Sequence, residues 1–219
     1  MDLDNVKQDR GSREFLAVLF AGFGNELVPL TSDYGDEPCP KSLLPIANKP
    51  LLEYVFGWLE QSGIKDVLLI CPSRHRFSIY HHIHSDVSSS SLRIDLQTYD
   101  ESQGSNIGTC ALLRQFSNRI TEDFVIVPCD FIPPAILPLS LLLNKFRVDA
   151  LSEAALATTC WYRSQISEKG TVLEDWGPPP MAFPIVWDPS TGSLLHIDTP
   201  DDMDSNSEEL ELRMELLKR

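Results

Sequence analysis

Two glycines and one aspartate stand where chemistry can happen. Gly22 and Gly24 fall in Ala21-Gly22-Phe23-Gly24, directly after the apolar run Phe15–Phe20. A glycine-rich turn after a buried strand puts main-chain N–H groups where a phosphate can lie. Such turns are common, and a plain structural turn is the competing reading. Asp130 follows a second apolar run, Phe124–Cys129. Ligand crevices open beyond the carboxyl ends of such strands, where a carboxylate can hold a metal ion or sit unused. His75, His81, His82 and His84 crowd one segment, with His81 and His84 at helical spacing. A metal site would want more ligands in a closed set, so these read as surface histidines and no metal site is assigned. Cys39, Cys71, Cys110, Cys129 and Cys160 are odd in number and lack C-x-x-C spacing. Small buried thiols in a reducing cytosol are the expectation, rather than a disulfide framework or zinc ribbon. No Ser/His/Asp triad is legible.

These residues need elements to position them. Phe15–Phe20 and Asp66–Cys71 read as strands buried on both faces of a parallel sheet, and Phe124–Cys129 as a third. Leu92, Ile94 and Leu96 alternate with Arg93, Asp95 and Gln97, the pattern of a half-exposed strand. Pro50 suits a first helical turn, with Leu51, Leu52, Val55, Phe56 and Leu59 following at helical spacing and Gly63 as the stop. Thr109–Ser117 and Leu137–Phe146 read as helices. The segment up to His84 is mixed, and Ala154–Tyr162 fits helix or strand. Phe183–Trp187 and Leu194–Ile197 flank a turn as a hairpin. Thr199-Pro200-Asp201-Asp202 opens a terminal helix with Leu210, Met214 and Leu217 on one face. This order predicts an α/β fold with a mostly parallel central sheet flanked by helices.

Composition narrows the function. The 219 residues carry 18 Lys+Arg against 32 Asp+Glu, a formal charge of −14, with 42% hydrophobic residues. That hydrophobic share supports a sizeable core, and the charge repels nucleic-acid phosphates, so no direct nucleic-acid partner is expected. No apolar stretch reaches eighteen residues, and the first fourteen are polar. No membrane span or secretory signal is expected. From Asp198 to Glu215 the only basic residue is Arg213, a solvated helix face or a docking face for a partner.

The glycine turn extends as Leu19-Phe20-Ala21-Gly22-Phe23-Gly24-Asn25-Glu26-Leu27-Val28-Pro29-Leu30-Thr31, and Pro40-Lys41-Ser42-Leu43-Leu44-Pro45 with Pro50 follows. Together these resemble the signature of the sugar-nucleotide pyrophosphorylases, L-x-x-G-x-G-x-R-L-x-P-L-T and P-K-x-L-x-P. Gly108-Thr109-Cys110-Ala111-Leu112 resembles that family's G-T-A-x-A-L segment beside the nucleobase. Val127-Pro128-Cys129-Asp130 resembles the strand end whose aspartate holds Mg²⁺. The resemblance implies a Rossmann-like nucleotidyltransferase fold and a nucleotide pocket at Gly22, Gly24, Lys41, Gly108, Thr109 and Asp130, functional or vestigial. Lys41 is either a phosphate contact, as in the family, or a solvent-facing loop lysine. One departure reverses the chemistry: the family's triphosphate-neutralising arginine falls at Glu26. A unit-charge contact at ~4 Å and an effective dielectric of ~20 is about 4 kcal/mol before screening. That is worth several decades of rate. The family's later E-K-P and second metal-ligand segments are also missing from residues 163–219, so no catalytic residues are assigned.

Gly22-Phe23-Gly24, Cys129-Asp130-Phe131 and the acidic Ile197–Asp204 and Glu208–Met214 segments are similar to one branch, the gamma subunits of eukaryotic translation initiation factor 2B. The resemblance covers about 15–162 and 194–217. It implies a polar tail over 1–14, a nucleotidyltransferase-like domain over 15–198, and an acidic helix over 199–219 leading toward a β-helix domain in a longer protein. It further implies a cytosolic, non-catalytic subunit of the guanine-nucleotide exchange complex for initiation factor 2. Such a subunit pairs with the epsilon subunit, meets the other subunits of that complex, and needs no cofactor, although Mg-nucleotide can bind. A homodimer is the expectation when that partner is missing. An active sugar-1-phosphate nucleotidyltransferase is the alternative, and a free nucleotide-sensing module is a third reading.

Overall fold

The computed structural model describes residues 14–24, 27–31, 39–85, 91–100, 108–134, 136–161, 185–188 and 190–197. Two compact units divide the chain, 1–160 and 161–219.

The first unit is built on strands β1 (Phe15–Phe20), β4 (Asp66–Pro72), β5 (Arg93–Tyr99) and β6 (Asp123–Pro128), all parallel, in the order β5-β4-β1-β6. A two-residue pair, β2 (Pro45–Ile46) and β3 (Lys49–Pro50), precedes helix α1 (Leu51–Gln61). Helices α2 (Arg76–Ile83), α3 (Thr109–Gln115) and α4 (Leu139–Ser152) complete the unit. The α/β class and mostly parallel sheet expected from the sequence are what the chain forms.

Apolar residues decide the layers. Leu52, Val55, Phe56 and Leu59 of α1 are fully buried and meet Ala17, Leu19, Val67 and Leu69 on one face of the sheet, with Ile79 of α2 and Leu139 and Leu143 of α4. On the other face Val18, Leu68, Ile70 and Tyr99 pack against Leu112 of α3 and Phe116. All seven residues of β4 are buried, which is why that strand carries a continuous apolar run. Gly63 adopts φ +82° after α1, the left-handed stop that glycine takes without strain.

Charged pairs tie the ends of these strands. Asp66 and Arg93 are register partners on β4 and β5, and the guanidinium donates two bonds to the carboxylate, at 2.8 and 2.6 Å. Glu14 pairs with Arg147 of α4, whose guanidinium also lies over the Phe15 ring at 5.2 Å.

Three sequence expectations change. The mixed segment before His84 is the helix α2; its apolar residues lie on more than one side, with Ile79 buried while Phe77 and Tyr80 are exposed, so no single stripe announces it. α4 runs six residues past Phe146. Residues 154–161 form neither helix nor strand; Ala154 takes φ +53° just after α4 and turns the chain out of the helix.

The second unit contains the expected hairpin, as β7 (Ile185–Trp187) paired antiparallel to β8 (Leu194–Ile197). The Asp188 carboxylate accepts from the Ser190 N–H and hydroxyl and from the Thr191 hydroxyl, at 2.9, 2.7 and 3.0 Å. Those donors hold its pKa below the ordinary carboxylate value. The acidic segment over 199–219 lies outside the described residues.

Candidate functional site

The sheet order puts the chemistry at one place. The chain passes from β1 to β4 and β5 on one side, then returns to lay β6 on the other side of β1. Beyond the carboxyl ends of β1 and β6, the strand order reverses, and there an open α/β sheet forms its ligand crevice. Gly22 and Gly24 follow β1, and Asp130 follows β6. Each strand end is fixed from below, because the Ala21 N–H donates to the Ile70 carbonyl at 2.9 Å and the Cys129 N–H to the Phe20 carbonyl at 3.3 Å.

Gly24 has φ +76°. A Cβ there would lie 2.8 Å from Lys41 Cβ and 3.0 Å from Thr31 Cγ2, closer than real side chains come. The position needs glycine for both its conformation and its neighbours. The Gly24 carbonyl accepts from the Thr31 hydroxyl at 2.8 Å and from the Leu27 N–H at 2.9 Å, closing the loop on itself.

Lys41 opens a short 3₁₀ turn, Lys41–Leu43. Its Nζ donates to Asp130 Oδ2 at 3.1 Å across 89 residues of sequence. Lys41 is thus half of an ion pair rather than a free loop lysine. Next to it Ser42 is completely buried, with a hydroxyl that meets no hydrogen-bond partner among the described residues. Trp58 buttresses the Asp130 side: its indole N–H donates to the Leu137 carbonyl at 2.9 Å, and its ring meets Phe131 edge-on with centroids 5.2 Å apart.

Cys129 is buried beneath the pair. Desolvation pushes its thiol up to about 12, reinforced by Asp130 and opposed by nearby Lys41 and by the main-chain groups of Cys129 and Gly22. Burial likewise drives Cys71 up to about 12. At pH 8 neither thiol is ionised enough to react; the expectation of small buried thiols holds for these two but not for Cys110 and Cys160, which are exposed, or for Cys39, which is half-buried. Maleimide labelling of the folded protein should therefore modify Cys110 and Cys160 quickly, and Cys71 and Cys129 only after denaturant is added. Prompt labelling of Cys129 would mean the floor of the crevice is open.

The other sequence candidates make no bond to this pair among the described residues. Gly108 caps α3 with its carbonyl accepting from the Ala111 and Leu112 N–H groups, and Thr109 begins the helix. Both are exposed, and neither bonds to Lys41 or Asp130 among the described residues. Glu26 lies outside the described residues. Among the histidines, His75 is buried rather than at the surface, its ring 5.7 Å from that of Phe23, while His82 Nε2 meets Glu53 Oε1 at 2.9 Å and the His84 ring stacks on Tyr80 at 4.0 Å. No group of three His, Cys, Asp or Glu able to hold a metal ion occurs among the described residues. No helix among the described residues is long and apolar enough to cross a membrane.

Residues 17–164 match the nucleotidyl transferase family model. Translation initiation factor eIF2B subunit gamma of Schizosaccharomyces pombe is 40% identical over 146 residues, covering 65% of this chain and 30% of that protein. Subunit epsilon of the same factor is 30% identical over 133 residues, 59% of this chain and 18% of that protein. Choline-phosphate cytidylyltransferase of Streptococcus pneumoniae is 40% identical over 53 residues, 24% of this chain and 21% of that enzyme. The chain spans under a third of the length of each of these relatives. A Bacillus anthracis structure described as a glucose-1-phosphate thymidylyltransferase in complex with sucrose superposes with a TM-score of 0.51 at 18% identity, covering 62% of this chain and 51% of that one, a likeness of fold. With the family model matching more than half of its length, the chain belongs to the nucleotidyl transferase family.

Proposed function

We propose that this chain is the nucleotidyltransferase-like domain of a gamma-type subunit of initiation factor 2B, acting as scaffold and regulator rather than as a transferase. One observation carries the reading. The match to the gamma subunit runs over 146 residues, whereas that to the cytidylyltransferase runs over 53. In this reading the chain works in the cytosol, pairs with an epsilon-type subunit through their related domains, and supports guanine-nucleotide exchange carried out by that partner. The crevice at Gly22, Gly24, Lys41 and Asp130 is a vestigial nucleotide pocket, with Glu26 replacing the cation that a triphosphate would need.

Light scattering at micromolar concentration tests the assembly. A one-to-one complex with the homologous domain of an epsilon subunit is expected, and a homodimer when that partner is withheld. A chain that stays monomeric in both cases would overturn the proposal.

The second reading is an active sugar-1-phosphate nucleotidyltransferase. It is favoured by Lys41 and Asp130 facing each other at the strand ends, 3.1 Å apart. Pyrophosphate release with the four nucleoside triphosphates and common sugar phosphates separates the two. No release above background is expected; steady turnover would establish the second reading.

A further inference from the structure

The lysine stem runs over the glycine turn. Lys41 Cβ and Cδ lie 2.8 and 3.3 Å from where a Gly24 Cβ would be, and Cε lies 3.9 Å from where a Gly22 Cβ would be. From there the ammonium reaches the Asp130 carboxylate at 3.1 Å. One side chain therefore covers both glycines and ends on the carboxylate across the mouth of the crevice. The contact is only partly screened, with the Lys41 side chain 19% exposed and that of Asp130 39%.

We infer that Lys41 and Asp130 form a latch, in which the aspartate holds the lysine over the glycine turn and so opposes binding of a metal-free polyphosphate. The inference rests on the proposed nucleotide pocket and states how that pocket is regulated. A polyphosphate reaching the turn must displace the lysine stem. Its charge attracts the ammonium, but the ammonium is already neutralised, and the carboxylate adds repulsion. Asp130 thus weakens the ligand twice, by keeping Lys41 and by facing the anion. The two effects separate in a double-mutant cycle, because only the first depends on Lys41.

The experiment is calorimetry of the whole chain with inorganic tripolyphosphate and with GTP, in EDTA. The variants are Asp130→Asn, Lys41→Met and both together, each checked for folding by circular dichroism and thermal melting. Asp130→Asn should tighten tripolyphosphate binding about five- to tenfold, from the released ion pair and the lost repulsion together. Lys41→Met should weaken it, and adding Asp130→Asn to Lys41→Met should give a clearly smaller gain, about two- to threefold, from the lost repulsion alone. If Asp130→Asn gives the same gain with and without Lys41, simple repulsion accounts for it and the latch is overturned. If the unchanged chain and Asp130→Asn bind equally well, the pocket stands and the latch falls. If no variant binds either anion, the pocket reading fails and takes the latch with it, leaving a structural ion pair that melting temperatures alone would still register.

Discussion

A Glu26→Arg variant is expected to bind nucleoside triphosphate about ten- to a hundredfold more tightly than the unchanged chain, and still to show no transferase turnover. The binding half follows from charge. Glu26 stands two residues after Gly24 in a motif whose family form has arginine there. Exchanging an anion for a cation beside a triphosphate changes the interaction by about one to a few kcal/mol after solvent and salt screening. The turnover half follows from what a cation alone cannot supply. Phosphoryl and nucleotidyl transfer need positioning of both reactants and a held metal as well as neutralisation. The family's later E-K-P and second metal-ligand segments are missing from residues 163–219. Calorimetry with Mg-nucleotide, run on both proteins, measures the first half, and pyrophosphate release measures the second. Tighter binding by the unchanged chain would mean that Glu26 does not face phosphate and that the loop has been rebuilt for another ligand pose. Turnover in the variant would mean that the remaining machinery is intact.

The fold was legible where burial on both faces forced one residue type. Phe15–Phe20 and Asp66–Cys71 could hardly be other than inner parallel strands, and they are β1 and β4 at the centre of the sheet. The hairpin was legible too, because Gly192 and the Asp188–Ser193 turn separate two apolar runs. α2 was not, because its buried Ile79 is outnumbered by exposed Phe77 and Tyr80 and by histidines. In the site, Gly24 could be placed in a turn from its neighbours, but the crowding that also demands glycine comes in part from a lysine seventeen positions later. The Lys41–Asp130 pair in turn is created by the return of β6 to the open side of β1. Spacing along a chain carries no record of such a meeting. In the sequence Thr31 is only the last letter of a motif; its hydroxyl bond to the Gly24 carbonyl explains why a threonine ends it.

Gly24→Ala and Gly57→Ala are expected to move stability in opposite directions, although each adds one methyl group. Gly24 is held at φ +76°, where an L-residue costs about 1–2 kcal/mol. The new Cβ would also sit 2.8 Å from Lys41 Cβ, an atom fixed to its backbone, and 3.0 Å from Thr31 Cγ2. Relieving that overlap costs about 1–3 kcal/mol more. The sum, about 2–5 kcal/mol, is set against the total stability of a domain of this size, typically about 5–15 kcal/mol. A large fall in melting temperature is therefore expected, or else a turn that opens and releases Lys41 from Asp130, which would appear as altered polyphosphate binding. Gly57 lies in the middle of α1, and a Cβ there meets nothing within 4 Å. Alanine at that position removes backbone freedom from the unfolded chain and should stabilise the protein by about 0.5–1 kcal/mol. Urea titration of the two variants reads both signs in one experiment. If Gly24→Ala proves as stable as the parent and binds polyphosphate alike, the turn has room that the Lys41 stem does not fill. The packing of that stem over the glycines would then be wrong, and with it the steric half of the latch.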